Sequence, residues 1–402
     1  MTNLSTIERD AIAGIDGSAM LDQVLTWVAV NSGTRNLAGL ATMARLLADA
    51  FGALPGEIAL VPAAPVDTVT SAGHVEPLAH GDHLSLTVRP DAPIQLLLTG
   101  HMDTVFAADH PFQTARWLDN GHLNAPGAAD MKGGIAVMLA ALKAVEATPL
   151  APRLGYRVIL NSDEETGSLS SSALIAEAAL GRTAALTYEP ALPDGTLAGA
   201  RGGTGNFSIV IHGRAAHAGR NPEDGRNAIV AVADLALRLA ALIGPDLSVN
   251  PARIDGGGPN NIVPDLAVLR VNFRPKSPEA IARADAAINA AIATVAAEHD
   301  VSIHRHGTFN RPPKPIDAGA AKLFDLVKQA GADLGLAIGW RDTGGVCDGN
   351  NIAACGIPVV DTMGARGGAI HSADEFLIPE SLAERAALSA VTILRIAEKG
   401  GL

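Results

Sequence analysis

The sequence of 402 residues has few aromatic side chains and fewer basic than acidic residues. Phe, Trp and Tyr together make up only 3% of the chain, which leaves few rings on which nucleic-acid bases could stack. The formal net charge is −12, and an acidic surface repels phosphate backbones and anionic lipid headgroups. We therefore expect neither nucleic acid nor a membrane as a partner.

Cysteines and long apolar runs are also scarce. Cys347 and Cys355 fit neither a CxxC zinc pair nor a disulfide framework, so we expect two reduced thiols. The first residues lack a basic segment followed by an apolar one, which predicts no secretory signal. No run of about 20 apolar residues is free of charge and proline, so no membrane span is expected. Together these absences predict a cytoplasmic protein.

Apolar residues make up 48% of the chain, which is enough for a large core. Short apolar runs typical of buried strands alternate with helical patterns over residues 94–188. The same alternation returns over residues 320–402. It predicts an α/β fold with helices on both faces of a sheet.

A different order is predicted between residues 203 and 312. The patterns there follow β-α-β-β-α-β, which is typical of a ferredoxin-like α+β unit. Its second helix has Ser277 as N-cap and Pro278 in the first position. The proline-rich segment 311–315 is typical of a stiff exit linker. The sequence thus predicts one discontinuous α/β domain, residues 1–202 and 313–402, interrupted by an inserted small domain at 203–312.

Side chains that can bind metal follow the ends of several predicted strands. In open α/β sheets, ligands bind in the crevice outside the carboxyl ends of the strands. One further carboxylate stands just before a predicted helix and belongs to the same edge. The residues that we expect to converge there are His101, Asp130, Glu164, Glu165, Glu189 and His371.

Each of these residues alone also fits an ordinary structural role, such as a helix N-cap, a solvated loop or a hydrogen-bonded histidine. Together they are harder to explain without metal, because carboxylates crowded into one crevice repel each other and raise each other's pKa. Two histidines and three carboxylates, one of them shared, suit a site for two metal ions. Imidazole and oxygen ligands favour Zn²⁺, with Mn²⁺ or Co²⁺ as alternatives.

The adjacent acids Glu164 and Glu165 allow a division of labour. One of them binds metal, and the other remains free to take a proton from water and later to protonate a leaving amine. Asp103 follows His101 by two residues and could orient its imidazole.

Four segments carry a resemblance to a known family. They are Gly100-His101-Met102-Asp103-Thr104-Val105, Ala129-Asp130-Met131-Lys132-Gly133-Gly134, Ser162-Asp163-Glu164-Glu165-Thr166-Gly167-Ser168 and Ile370-His371-Ser372. In this order they resemble the motifs of the M20 family of di-zinc metallopeptidases and deacylases, most of all its glutamate carboxypeptidase branch. The resemblance extends from about residue 90 to the C-terminus and includes the inserted domain.

The resemblance implies a di-zinc exopeptidase-like catalytic domain with an inserted lid and dimerisation domain. Asp130 would bridge two zinc ions, His101 and Glu189 would complete one site, and Glu165 and His371 would complete the other. Glu164 matches the general base of the family, and Asp103 matches the partner of the first histidine ligand.

The inserted domain carries three further matches. Gly213-Arg214-Ala215-Ala216-His217-Ala218-Gly219 looks like the lid histidine motif, in which His217 would reach across a homodimer and stabilise the oxyanion. Asn261 and Arg274 match positions that hold the carboxylate of the substrate. Taken alone, these residues also fit a surface loop, a turn and a structural ion pair. Val346 and Cys347 depart from the small or hydroxyl residues of relatives, which affects the expected shape of the substrate pocket.

The sequence thus predicts a metal-dependent hydrolase that cleaves an amide bond beside a free carboxylate and releases a C-terminal amino acid such as glutamate. Its substrate would be a small peptidyl or N-acyl amino acid. The alternatives are an N-acyl-amino-acid deacylase of the aminoacylase or acetylornithine deacetylase type and a non-catalytic ligand-binding homologue. The chain has no GxSxG elbow and no P-loop, which argues against a serine hydrolase and a nucleotide-binding enzyme.

Overall fold

The computed structural model describes residues 3–402, and its first half contains the expected alternation of helices and strands. The helices of this part are α1 (Thr6–Ala13), α2 (Gly17–Val28), α3 (Leu37–Phe51), α4 (Gly133–Glu146) and α5 (Ser172–Ala179). Its strands are β1 (Glu57–Val61), β2 (Asp67–Val69), β3 (Val75–Pro77), β4 (His83–Val88), β5 (Ile94–His101), β6 (Arg116–Trp117), β7 (Leu123–Asn124), β8 (Leu154–Asn161), β9 (Ala184–Thr187) and β10 (Leu197–Arg201).

The remaining elements fall into two groups along the chain. The first comprises β11 (Thr204–His212), β12 (Ala216–His217), α6 (Ala228–Ala240), β13 (Leu247–Gly256), β14 (Ile262–Val263), β15 (Leu266–Pro275), α7 (Pro278–His299) and β16 (Ser302–Arg311). The second comprises α8 (Ala318–Asp333), β17 (Trp340–Thr343), α9 (Asp348–Ala354), β18 (Val359–Val360), β19 (Gly367–Gly368), β20 (Phe376–Leu377) and α10 (Ser381–Lys399).

A six-stranded sheet in the order β1-β4-β8-β5-β9-β18 forms the centre of the main region, residues 3–202 and 313–402. Strands β8, β5, β9 and β18 are parallel, and β4 and β1 add an antiparallel edge. His101 lies opposite Asn161, and Thr99 lies opposite Thr187. The carboxyl ends of β5, β8 and β9 therefore meet at one edge of the sheet.

Helices cover both faces of this sheet. Leu96 and Leu98 of β5 belong to the large core that includes residues of α2, α4, α8 and α10. Leu97 points to the other face and belongs to a smaller core with residues of α5 and α9. Successive side chains of a strand alternate between faces, so this fully apolar run is buried on both sides. The predicted α/β fold is confirmed.

The inserted region, residues 203–312, forms a separate four-stranded antiparallel sheet in the order β13-β15-β11-β16. This strand order, with two helices between the strands, is the ferredoxin-like topology that the sequence indicates. Val232 and Leu235 of α6, Ile288 of α7, and Ile209 and Ile211 of β11 belong to one buried hydrophobic cluster. The inserted region therefore has its own hydrophobic core.

Helix α7 is the one helix among residues 3–402 whose length and composition would also suit a membrane span. Ser277 caps it by accepting a hydrogen bond from the Ala280 amide, as the sequence indicates. One of its faces packs through Ala284, Ile288 and Val295 into the core of the inserted region. Most of its other residues are exposed or half-buried, and many of them are alanines.

The two chain crossings between the main and inserted regions lie side by side. Arg201 and Lys314 exchange two backbone hydrogen bonds of 2.9 Å each. The ammonium group of Lys314 is buried and lies 2.9 Å from Oδ2 of Asp361. The segment predicted as a stiff exit linker is therefore also held to the main region, because its cation Lys314 pairs with the buried carboxylate of Asp361. The domain boundaries at 202/203 and 312/313 remain predictions.

Candidate metal centre

The strand ends bring the candidate metal ligands to one edge of the main sheet. His101 is the last residue of β5, and Glu189 follows β9 by two residues. Glu164 and Glu165 lie in a short turn after β8, and Asp130 lies just before α4. Four of these five residues lie at or just after the ends of three neighbouring parallel strands, which is why their side chains converge.

Asp130 lies between two histidines. Its Oδ1 is 3.1 Å from Nε2 of His101, and its Oδ2 is 3.3 Å from Nε2 of His371. Nε2 of His101 is also 3.8 Å from Oε2 of Glu189, whereas Nε2 of His371 is 3.1 Å from Oε2 of Glu165. The side chains thus form two groups that share one carboxylate.

These distances fit a metal site. Ligand atoms at about 2.0–2.2 Å from a tetrahedral zinc ion lie roughly 3.3–3.6 Å apart. The donor atoms of His101, Asp130 and Glu165 all lie within 4.8 Å of one another, and so do those of His101, Glu164 and Glu189. Imidazole nitrogen and carboxylate oxygen are donors that zinc, manganese and cobalt accept. The residues present therefore fit two divalent metal ions with Asp130 between them.

The buried side chain of Asp103 supports this centre from behind. Nδ1 of His101 lies 3.0 Å from the carbonyl oxygen and 3.4 Å from Oδ1 of Asp103. The Asp103 carboxylate accepts hydrogen bonds of 3.2 Å from the amides of Glu164 and Glu165, and one of 2.7 Å from the Thr34 hydroxyl. One carboxylate thus fixes a histidine ring and the turn that carries both glutamates.

The protonation of the acids reflects their crowding. Burial raises the pKa of Glu164 to about 7, although the nearby positive charge of Arg311 opposes this shift. Burial and the charge of Asp130 raise the pKa of Glu165 to about 8. Burial also raises the pKa of Glu189. Without metal, ionising the whole group is unfavourable, and divalent cations would remove this penalty.

The pKa values of the two histidines are also raised, which favours their charged form. Burial alone would lower the pKa of His101, but its contacts with Asp103, Asp130 and Glu189 raise it well above the usual value. Hydrogen bonds to Asp130 and Glu165 raise the pKa of His371 to about 11. Without metal, protons on the imidazoles therefore balance the negative charge that metal ions would otherwise neutralise.

A further carboxylate, Glu375, was not singled out from the sequence. Its Oε1 accepts hydrogen bonds from the amides of Ala129 (2.9 Å) and Asp130 (3.1 Å), and its Oε2 accepts one from Gly127 (3.1 Å). Glu375 therefore ties the loop of Asp130 to the loop of His371. Its position four residues after a candidate ligand was the only available signal in the sequence.

A cavity of about 300 Å³ opens beside the centre and is lined by Asp130, Glu164, Glu189 and His371. Two cationic residues, Arg201 and Arg341, also line it. So do Val346 and Cys347, the two residues that depart from those of relatives. Arg201 is neutralised by Asp361, which accepts its hydrogen bonds of 2.7 and 3.2 Å. No carboxylate among residues 3–402 lies within 4 Å of the Arg341 guanidinium. Burial raises the pKa of the Cys347 thiol well above its usual value, which keeps it protonated.

The three candidate residues of the inserted region do not line this cavity. His217 is exposed on β12, and its Nδ1 accepts a hydrogen bond of 3.1 Å from the Gly219 amide. The Asn261 carbonyl accepts a hydrogen bond of 2.9 Å from the Ala218 amide, so Asn261 and His217 are neighbours. Arg274 is exposed on β15 and donates a hydrogen bond of 2.9 Å to Asn272.

Comparison with known proteins identifies relatives of both sequence and fold. Residues 97–395 match peptidase family M20/M25/M40. Carboxypeptidase G2 of Pseudomonas sp. (strain RS-16) is 33% identical over 310 residues, 73% of this chain and 72% of that protein. Succinyl-diaminopimelate desuccinylase of Verminephrobacter eiseniae (strain EF01-2) is 28% identical over 305 residues, 70% of this chain and 74% of that protein.

Two solved structures share the fold. The aminopeptidase PepT of Bacillus cereus superposes with a TM-score of 0.72 at 24% identity, covering 95% of this chain and 99% of that chain. A Bacillus subtilis dinuclear metal-binding peptidase of the M20 family gives a TM-score of 0.66 at 17% identity, covering 95% and 98%. The chain therefore belongs to peptidase family M20/M25/M40 and is a metal-dependent hydrolase.

Proposed function

We propose that this protein cleaves an amide bond adjacent to a free carboxylate and releases a C-terminal amino acid such as glutamate. The observation that carries the proposal is the placement of Asp130 between His101 and His371, beside a cavity that contains Glu164 and an unpaired cation, Arg341. Two metal ions are proposed, with zinc as the species. His101, Asp130 and Glu189 would hold the first ion. Glu165 and His371, with the shared Asp130, would hold the second ion.

Bound metal, Glu164 and Asp103 have separate roles in the proposed reaction. Bound metal would supply Lewis-acid polarisation of the scissile carbonyl and would acidify water. Glu164 takes the proton from the attacking water and passes it to the leaving amine, and its buried carboxylate lies beside the proposed metal ligands His101 and Glu189. Asp103 holds His101 and the turn of Glu164 in place throughout.

Positive charge supports a substrate with a free carboxylate. Arg341 lines the cavity without a carboxylate partner, and Arg274 is exposed on the inserted region. The planar guanidinium group binds carboxylate in a bidentate manner. We propose that Arg274 and Asn261 hold the α-carboxylate, as the resemblance implies, and that Arg341 favours a second negative group on the substrate.

His217 is proposed to act in the site of a second subunit and to stabilise the oxyanion. Two surface features of the inserted region support a homodimer. Val230 and Leu237 are exposed apolar residues seven positions apart on α6, so they share one helix face. Strand β13 is an edge strand of ten residues whose outer side is free to pair. A cytoplasmic location is likewise proposed.

The relatives support a second candidate within the same chemistry. The similar proteins include desuccinylases as well as a carboxypeptidase, so an N-acyl-amino-acid deacylase is the alternative. Both reactions leave a free amino acid and need the same centre. A non-catalytic homologue is disfavoured, because all five candidate ligands and Glu164 are present and converge.

The test combines metal analysis with a substrate panel. Zinc-loaded protein is assayed for amino acid release from N-acetyl, N-benzoyl, N-folyl-like and dipeptide derivatives of Glu, Asp, Ala, Leu and Arg. About two metals per chain, with release confined to acidic amino acids from aryl or peptidyl derivatives, supports the carboxypeptidase. Release from N-acetyl derivatives alone supports the deacylase. Two bound metals without any release would contradict both.

A further inference from the structure

Arg311 is the last residue of β16, yet its side chain is buried in the main region. Nη2 of Arg311 lies 2.7 Å from Oε1 of Glu164. The same nitrogen donates hydrogen bonds of 2.8 Å to the backbone carbonyl of Glu164 and to the hydroxyl of Ser168. The inserted region thus contacts both the carboxylate of Glu164 and the turn that carries it.

Neighbouring contacts strengthen this connection. Nδ2 of Asn310 donates a hydrogen bond of 2.9 Å to the Gly167 carbonyl. Oδ1 of Asp348 lies 3.5 Å from Nη2 of Arg311 and accepts a hydrogen bond from the Ser168 hydroxyl. Arg311 therefore lies between two buried carboxylates, and two successive residues of β16 hold the segment 164–168.

The turn is fixed from both sides. Asp103 holds its amides from the side of the metal centre, and Arg311 holds its carbonyl and one carboxylate oxygen from the side of the inserted region. A glutamate side chain has three rotatable bonds, so a general base is effective only if its carboxylate is held within reach of the proton. Arg311 does not line the cavity, so it would act through Glu164 rather than on the substrate.

We propose that Arg311 is a positioning residue, which fixes the carboxylate of Glu164 and links it to the last strand of the inserted region. Through this link, a displacement of β16 changes the position of the proposed base. The proposal rests on the proposed function, in which Glu164 transfers protons. Arginine is suited to the place, because its planar group offers several donors at fixed angles, whereas lysine provides a point charge.

The test compares Arg311→Met with a matched control, Arg305→Met. Arg305 lies on the same strand and pairs with Asp285 and Asn289 within the inserted region. We expect Arg311→Met to lower kcat by about 10- to 100-fold, the cost of a misplaced catalytic group, with KM and bound metal nearly unchanged. Arg311→Lys should recover part of the loss and replaces the Met variant if that variant does not fold. Arg305→Met should retain the wild-type kcat.

A double-mutant cycle separates positioning from general structural support. In a Glu164→Gln background, Arg311→Met should change the residual kcat by less than about twofold, because its target is already disabled. An undiminished 10- to 100-fold loss in that background would overturn the proposal. So would a loss that appears only in KM.

A readout without turnover keeps this proposal separate from the proposed function. Hydrogen exchange is measured on the metal-loaded variants at the amides of residues 164–168. At least tenfold faster exchange in Arg311→Met than in Arg305→Met supports the positioning role, even if the wild-type protein releases no amino acid. Equal exchange in both variants overturns it, whatever the activity.

Discussion

In the metal centre, His101 and Asp130 are buried, and Asp103 and Glu375 hold them from behind. On the inserted region, His217 is exposed and its ring accepts a hydrogen bond only from a neighbouring backbone amide. The two sets of residues differ in whether their expected partners lie within the same chain. Every candidate metal ligand already lies near another ligand, whereas the candidate substrate-binding residues of the inserted region lie outside the cavity.

This difference follows from the cost of burying polar groups. A buried carboxylate needs a partner in the folded chain, so its supporting contacts must be present before any ligand arrives. The ring nitrogens of an exposed histidine can form hydrogen bonds with water, so such a residue needs no protein partner before a substrate or a second subunit binds. The candidate metal ligands are therefore brought together within one chain, whereas the candidate substrate-binding residues of the inserted region have no contact with the cavity.

The largest effect should come from the residue that both halves of the centre share. Asp130→Ala removes a ligand from two ions at once, so we expect loss of both metals and of essentially all activity. His371→Ala removes a ligand from one ion only and should retain about one metal per chain. Metal analysis after dialysis checks both variants. Equal metal content in the two variants would contradict the sharing of Asp130.

The second prediction concerns His217. If it supplies an oxyanion donor, His217→Ala should lower kcat by about 10²–10³-fold with unchanged metal content. The decisive measurement mixes this variant with the inactive Glu164→Gln variant after dissociation and reassociation. A hybrid dimer has one intact site only if His217 serves the partner. Random mixing should then restore roughly a quarter of the wild-type activity.

Absence of recovery in the mixture, with hybrid dimers demonstrated by mass, would place His217 in its own subunit or outside the reaction. A useful control is Leu237→Asp on the exposed face of α6. If that face forms the interface, the charge should shift the protein towards monomer and lower activity without loss of metal.

Much of the metal centre could be predicted from sequence. His101 and Glu189 follow strands, and the carboxyl ends of parallel strands share one edge, so their convergence did not require knowledge of the register. The ferredoxin-like order was visible for a similar reason, because apolar periodicity and the cap at Ser277 are local signals. Strand β18 spans only Val359–Val360, which pair with Ala185 and Leu186 at the edge of the sheet, and so short a strand gives little apolar pattern.

The supporting residues could not be predicted, because their partners are distant in sequence. Arg311 contacts Glu164 across 147 positions, and nothing local distinguishes it from a linker cation. Asp163 stands beside the two glutamates but points away and accepts hydrogen bonds from Ser170 and Ser171. Which of three consecutive acids faces the metal depends on the turn geometry after β8, and Asp103 fixes that geometry from outside the segment.

The third prediction tests the support behind Asp130. Glu375→Gln keeps the size of the side chain and one acceptor oxygen, but it removes the charge that accepts three backbone amides. We expect metal affinity to fall by about 10- to 100-fold, as is typical when a residue that supports metal ligands is changed. Titration with zinc against a competing chelator measures it. Glu384→Gln, on α10, is the control, because Glu384 pairs with Arg366 away from the centre.

The smallest expected effect concerns stability without metal. The pKa of Glu375 is raised by burial to about 7, and that of Glu165 to about 8, so both bind protons in the folded state that the unfolded chain has already lost above pH 4.5. The pKa of His371 is raised to about 11, so the folded state keeps a proton that the unfolded chain loses above pH 6.5, and the resulting stabilisation declines above that pH. Both shifts make the folded state bind more protons, so stability should fall as pH rises from 5 to 8.

We expect the free energy of unfolding of the metal-free protein to decrease over this range by at least about 2 kcal/mol, the size that the shift of Glu375 alone implies. Metal should reverse the trend, because it replaces those protons and binds more tightly as the ligands ionise. Urea unfolding at several pH values, with zinc and with chelator, measures the two slopes. Equal slopes with and without metal would mean that the crowded acids are not the metal ligands, and the contrast between a centre completed within one chain and the exposed residues of the inserted region would then lose its cause.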